Sequence, residues 1–183
     1  MIRWVLTAAA ALLLLSGCTE KSDRPGDHTT EPTTAPAPGG TVASPVKATA
    51  FPAVSDPYDP DQAAANGDVV NVHGKIYNLD KWKLFLANRD KGVSNQVRIT
   101  HYTVEGAPIF YELVYGGGDT IAYTYDNSRD GFGSDAGRPR TVCRDVKLEE
   151  NKELGSHYKL TGCDNETVGN TFSFTVEEDE RSN

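Results

Sequence analysis

The polarity pattern divides the chain into three stretches. From Trp4 to Leu15 the residues are almost uniformly apolar. From Thr19 to about Ala65 large apolar residues are sparse and follow neither a helical nor a strand period. From about Asn66 onward hydrophobic positions recur regularly. Val69–Val72 is a candidate short strand. Leu79, Trp82, Phe85, Leu86 and Val93 then fall on one side of a helix, with Asn78 placed to cap its start and Gly92 to end it. Leu84 lies off that face.

After Gly92 the period changes to two. Val97 and Ile99 alternate with Arg98 and Thr100. Ile109, Tyr111, Leu113 and Tyr115 alternate with Phe110, Glu112 and Val114, and Ile121, Tyr123 and Tyr125 follow across a glycine turn. Val142, Arg144, Val146 and Leu148, then Tyr158 and Leu160, then Phe172, Phe174 and Val176 continue the pattern. These elements predict an α+β domain over 66–178: one N-terminal helix packed on an antiparallel meander of about five or six strands, preceded by a disordered linker. A cystatin-like helix-on-meander is the first expectation, and an open meander or small barrel the second. A hairpin centred on Gly118 pairs Leu113 with Tyr123 and Tyr111 with Tyr125 on one face. Tyr102 and Phe110 are predicted to point outward, where they could form an aromatic patch.

The first stretch reads as an export signal over 1–17. It has a basic start at Arg3 and an apolar run shorter than the ~20 residues needed to span a bilayer. It ends in Leu15-Ser16-Gly17-Cys18, which resembles the bacterial lipobox, where diacylglycerol is attached to the cysteine thiol before cleavage. The expectation is a lipid-anchored protein, acylated at Cys18, on the outer face of the bacterial plasma membrane. Each buried methylene contributes ~0.8 kcal/mol, so two or three chains anchor stably. Residues 18–65 hold eight of the ten prolines. Such a segment buries too little surface to offset its ordering entropy, and reads as a tether. Within it, Phe51, Val54 and Tyr58 are candidates for docking onto the domain.

The formal net charge is −8, and loss of Arg3 with the leader makes it more negative. That argues against nucleic acid as a partner, because phosphate binding needs clustered Lys and Arg. Export also bears on the cysteines. With Cys18 taken by lipid, Cys143 and Cys163 remain, outside the reducing cytosol. A hairpin centred on Glu153 sets Val146 opposite Leu160, Leu148 opposite Tyr158 and Cys143 opposite Cys163, on the sheet face away from the core. A disulfide there would contribute on the order of 3 kcal/mol.

The stretch Asp126-Asn127-Ser128-Arg129-Asp130-Gly131 opens a long loop ending near Arg140, and long unstructured loops are often functional. Asp126, Ser128, Arg129 and Asp130 are the candidate interaction residues. Oxygen ligands at Asp126, Ser128 and Asp130 followed by a glycine also imitate the opening of a calcium loop. Gly137, however, stands where a bidentate glutamate is needed, and Asp, Asn and Gly make plain turns as well. No metal or cofactor is therefore assigned. His101 shares a strand face with Val97 and Ile99 and could act as a base with Glu105 or Glu112, but nothing places a nucleophile beside it. His73, His101 and His157 lack metal-ligand spacing. No catalytic residue is assigned.

Several short runs resemble an uncharacterised domain family of Bacillus-type, Gram-positive lipoproteins. They are Asn66-Gly67-Asp68-Val69-Val70 with His73-Gly74, Asn78-Leu79-Asp80-Lys81, Arg98-Ile99 with Tyr102-Thr103, Glu105-Gly106 and Pro108-Ile109. Tyr123-Thr124-Tyr125-Asp126-Asn127-Ser128-Arg129-Asp130 and Leu160-Thr161-Gly162-Cys163 complete the likeness. The resemblance covers about Asn66 to Cys163 and implies lipoprotein context and domain limits, but no activity. The functional expectation is a binding or accessory module that contacts the membrane through its anchor and a protein or envelope ligand through its loop. A secreted-hydrolase inhibitor or immunity-type factor is the alternative. An enzyme using His101 or the Asp126/Asp130 pair is the third reading.

Overall fold

The structure, a computed structural model, describes residues 49–151 and 155–177. The export signal, Cys18, the tether up to residue 48 and the turn around Glu153 lie outside the described residues.

The chain begins with a segment lacking regular structure, residues 49–59, and a short helix α1 (Pro60–Ala65). Asp59 caps α1 by accepting from the Gln62 N–H at 2.9 Å, and Pro60 occupies the first turn, where its missing N–H costs nothing. A hairpin follows, β1 (Val69–Val72) and β2 (Lys75–Tyr77), then the principal helix α2 (Leu79–Asp90). Strands β3 (Asn95–Tyr102), β4 (Pro108–Tyr115), β5 (Ile121–Asp126) and β6 (Arg140–Cys143) come next. The chain ends with β7 (Asp145–Asn151), β8 (Gly155–Thr161), a one-turn helix α3 (Glu166–Gly169) and β9 (Phe174–Thr175).

Among the described residues the strands form two sheets, one ordered β2-β1-β3-β4-β5-β6 and the other β7-β8-β9. The fold is α+β, but it departs from a helix followed by an antiparallel meander. The main helix is not N-terminal: α1 and the β1–β2 hairpin precede it. The large sheet is mixed, because β1 pairs parallel to β3, with Val69 beside Ile99. A parallel pair needs a long crossover, and β2 with α2 supplies it.

Helix α2 buries Trp82 and Phe85, with Leu79 and Leu86 packed beside them, and leaves Leu84 exposed. Asn78 stands at the cap position but makes no capping bond. Its φ is +56°, and its amide instead donates to the Ala64 and Asp68 carbonyls at 2.9 and 2.8 Å, tying α1 to the start of α2. Gly92, at φ +68°, ends the helix in the left-handed conformation glycine favours. Val93 falls beyond the helix and is exposed rather than on its apolar face.

Trp82 is the centre of the main core. Its ring lies 5.0–6.0 Å from those of Phe85, Tyr158, Phe172 and Phe174, so α2, β8 and the terminal segment close on one face of the large sheet. The β4–β5 hairpin has the expected register, Leu113 with Tyr123 and Tyr111 with Tyr125. Burial pushes the Tyr111 phenol up to about 12, with Tyr125 adding to the shift.

Cys143 and Cys163 form a disulfide. The β7–β8 register, Val146 with Leu160 and Leu148 with Tyr158, is the one that sets them opposite each other. Their surroundings differ from expectation. Both cysteines lie in the core rather than on the outer face, and Val142 is turned outward. The cause is a change of sheet. The run from Val142 to Leu148 is not one strand; it leaves the large sheet after Cys143 and enters the small one at Asp145. The disulfide clasps the two sheets at that step.

Candidate functional site

The face of the large sheet opposite Trp82 carries the charges. Strand alternation sends Val97, Ile99 and His101 one way and Arg98, Thr100 and Tyr102 the other. Those second positions read as solvent-facing, as does Phe110 on β4. All four are instead buried. Residues 51–65, assigned by composition to the tether, lie over them: Tyr58 and Ala63 pack with Val70, Tyr102 and Phe110 in a second apolar cluster, with Val54 at its edge. The folded unit therefore starts before Asn66, and Tyr102 and Phe110 form no exposed patch.

At the centre of this layer is a buried ion pair. The Asp68 and Arg98 side chains are each 2% exposed. Burying charge is costly unless it is paired and hydrogen-bonded, and here each side-chain nitrogen and oxygen of the pair has at least one partner. Arg98 Nε donates to both Asp68 oxygens at 2.9 Å. The Tyr58 and Thr100 hydroxyls donate to Asp68 Oδ2, each at 2.8 Å. Arg98 Nη1 donates to the Pro52 carbonyl at 2.9 Å and Nη2 to the Tyr58 oxygen at 3.2 Å. The guanidinium also lies 5.6–5.8 Å from the ring centroids of Phe51, Tyr58 and Phe110, within cation–π range. Burial holds the Tyr58 phenol above its usual value.

Beside this network lies an open groove of about 1140 Å³. It is lined by β4, β5 and β6 positions including Glu112, Thr124 and Val142, by residues of the 49–54 segment, and by Arg129, Arg138 and Arg140. Arg138 organises this rim. It donates to Glu112 Oε2 at 2.5 Å and its Nε lies 3.2 Å from Asp126 Oδ2, crossing from β4 to β5 while half exposed. Arg140 is exposed and forms no ion pair among the described residues. A second depression of about 570 Å³ lies on the other side of the N-terminal segment, and Ser128 and Arg129 border both.

The loop 127–139 is built from Asx turns. Asp126 Oδ1 accepts from the Ser128 N–H and hydroxyl at 3.0 and 2.6 Å. Asp130 Oδ1 accepts from the Phe132 and Gly133 N–H groups, both at 3.1 Å, and Asn127 Oδ1 accepts from Gly137 N–H at 2.8 Å across the loop. The carboxylates weighed as calcium ligands are thus engaged with backbone donors, and Asp126 also with Arg138. Arg129 instead reaches the N-terminal segment, donating to the Ser55 and Val54 carbonyls. Phe132, at the tip, is 83% exposed.

Other candidates are kept apart. His101 is half-buried beside Asn71 and Ile109 on the neighbouring strands. Burial, and then His73, holds its pKa below the ordinary value. Glu112 pairs with Arg98 across the β3–β4 ladder and so lies on the opposite face from His101, while Glu105 is exposed in the turn after β3. His157 is buried on β8 in the other sheet. What sequence reasoning missed is the Asp68–Arg98–Tyr58 network. Its one readable signal was the presence of Phe51, Val54 and Tyr58 in an otherwise weakly apolar tether.

A family model described as a domain of unknown function, DUF4362, matches residues 66–159. The chain belongs to the DUF4362 family. No curated protein and no solved structure matches it. The DUF4362 match starts immediately after α1 and ends within β8. It therefore contains Asp68, Arg98, Glu112 and the loop 127–139. The segment that covers Arg98 and the second half of the disulfide lie outside the matched span.

Proposed function

We propose that this DUF4362 chain is a binding module, held at the outer face of the bacterial plasma membrane by lipid on Cys18, which engages a protein or envelope ligand through the groove over β4, β5 and β6. The observation that carries the reading is the groove. It is open, it mixes apolar lining positions such as Val114 and Val142 with charged ones, and its rim arginine is already fixed by Glu112 and Asp126. Polar groups held in place before binding lose less freedom on binding, which is how such surfaces gain affinity. The leader and Cys18 support the membrane context, and the proline-rich stretch supplies the reach.

Photo-crosslinking in intact membranes tests this. A reactive residue at Thr124, which lines the groove, is expected to trap a discrete species, and one at Lys159, on β8, is not. The groove reading fails if both positions give the same products or neither gives any. Intact-mass measurement of the mature chain, looking for an acylated Cys18, separately tests the anchor.

A further inference from the structure

Residues 51–58 lie across the charged face as a strap, irregular over 51–55 and bent at Asp56–Pro57, that pairs with no strand among the described residues. Side-chain donors hold it by its backbone. The Pro52 carbonyl accepts from Arg98 at 2.9 Å, the Ala53 carbonyl from Asn66 at 3.2 Å, and the Tyr58 carbonyl from Tyr102 at 2.9 Å. The Val54 and Ser55 carbonyls accept from Arg129. Five of the eight carbonyls in this stretch are taken this way. Two aromatic anchors complete the fit: Phe51 lies against the Arg98 guanidinium, and Tyr58 lies 5.8 Å from Phe110.

Donors that read carbonyl oxygens recognise an extended backbone rather than one sequence. Pro52 presets φ in the part of the strap whose carbonyls are read, so that part loses less entropy when held, and aromatic-lined grooves use proline-bearing segments as ligands. The strap also runs as a ridge between two open depressions that Arg129 borders on both sides. An incoming chain therefore has an approach from either side.

We propose that the face under residues 51–58 is a recognition site for an extended, proline-bearing peptide of a partner protein, and that the chain's own strap fills it as an intramolecular competitor. This rests on the binding-module reading and adds a recognition face beside the groove, with its own ligand class. A tethered occupant acts at an effective concentration on the order of millimolar. It holds off weak ligands and yields to a tight one. An incoming peptide that displaced the strap would expose Tyr102, Phe110 and Arg98 to its own aromatic and carbonyl groups.

The test is fluorescence polarisation with a labelled synthetic peptide of residues 49–60 and the full mature chain. Phe51→Ala with Val54→Gly weakens the strap while leaving every receptor side chain in place. This variant is expected to bind the peptide about tenfold more tightly than the native chain, because the tethered competitor is lost. Adding Arg129→Ala, an exposed position, is expected to abolish that gain. If the double variant does not melt cooperatively, Phe51→Ala alone serves, with the same order of affinities and a smaller gap. Equal binding to native and strap-weakened chains, binding indifferent to Arg129→Ala, or no binding at all overturns the proposal. Crosslinking from Thr124 that persists in that case shows that the groove still binds, and that only the peptide class and the strap's role have failed.

Discussion

The two faces of the large sheet are both covered at their centre, around β3, yet they are built from opposite materials. One face packs Trp82, Phe85, Leu113, Tyr123 and Phe172 into an apolar core, clasped by the Cys143–Cys163 disulfide. The other has at its centre an arginine, an aspartate, a threonine and two tyrosines, covered by a proline-bearing strap. The first face draws its stability from area removed from water, which is non-directional. The second depends on geometry: each charge is tolerated only while every partner is in place. The apolar face should therefore degrade gradually under conservative substitution, and the charged face abruptly.

The sharpest contrast comes from substitutions at the two centres. Trp82→Ala is expected to cost about 4 kcal/mol in chemical denaturation, through lost burial and the cavity left behind. Asp68→Ala is expected to cost about 3 kcal/mol, because Arg98 is left buried without its counter-charge. An Asp68→Ala effect within ~0.5 kcal/mol would mean that this face is an ordinary solvated surface. Replacing both Cys143 and Cys163 with alanine should lower stability by roughly 3 kcal/mol, read as a shift in the denaturation midpoint.

Smaller changes sharpen the picture. Tyr102→Phe removes only the hydroxyl that holds the Tyr58 carbonyl, so a loss of about 1 kcal/mol is expected, with faster proteolysis within the strap. The weakest effect is at His101. Its folded pKa lies below 6.5, chiefly because of burial. The unfolded chain therefore takes up protons first as pH falls, and stability declines from about pH 6.5 downward until the folded-state pKa is passed. Melting curves across that range should show the decline in the native chain and a shallower one in His101→Gln.

How much of this was legible in the sequence follows from the same contrast. The apolar face announces itself by period. The centre at Gly118 and the polar run around Glu153 were enough to place Leu113 beside Tyr123 and to pair the two cysteines. What the pattern could not show is that the chain changes sheets at Arg144, which turns Cys143 inward and Val142 outward. Nor could it show that β1 runs parallel to β3, since a parallel partner leaves no local turn signal. The charged face was misread for a different reason. Arg98, Thr100 and Glu112 at alternate positions look the same whether water or a strap lies above them. The strap itself is proline-bearing, and composition counted against it although Phe51, Tyr58 and the Asp59-Pro60 cap were present. The candidate groove was legible only at its rim, through Asp126, Ser128 and Arg129 at the start of the long loop, and Arg138, which ties that rim to Glu112, was not picked out.

The claim on which the rest depends is that residues preceding the family-matched span are part of the folded unit and seal its charged face. Native-state hydrogen exchange addresses it directly. The Ala63 and Asp68 N–H groups donate to the Asp59 and Ala63 carbonyls at 3.0 and 3.1 Å. Their exchange is expected to be slowed to nearly the level of the β3 amides, opening only with the fold as a whole. Exchange of the Ala63 amide at the rate of an unstructured chain, with β3 still protected, would contradict the account.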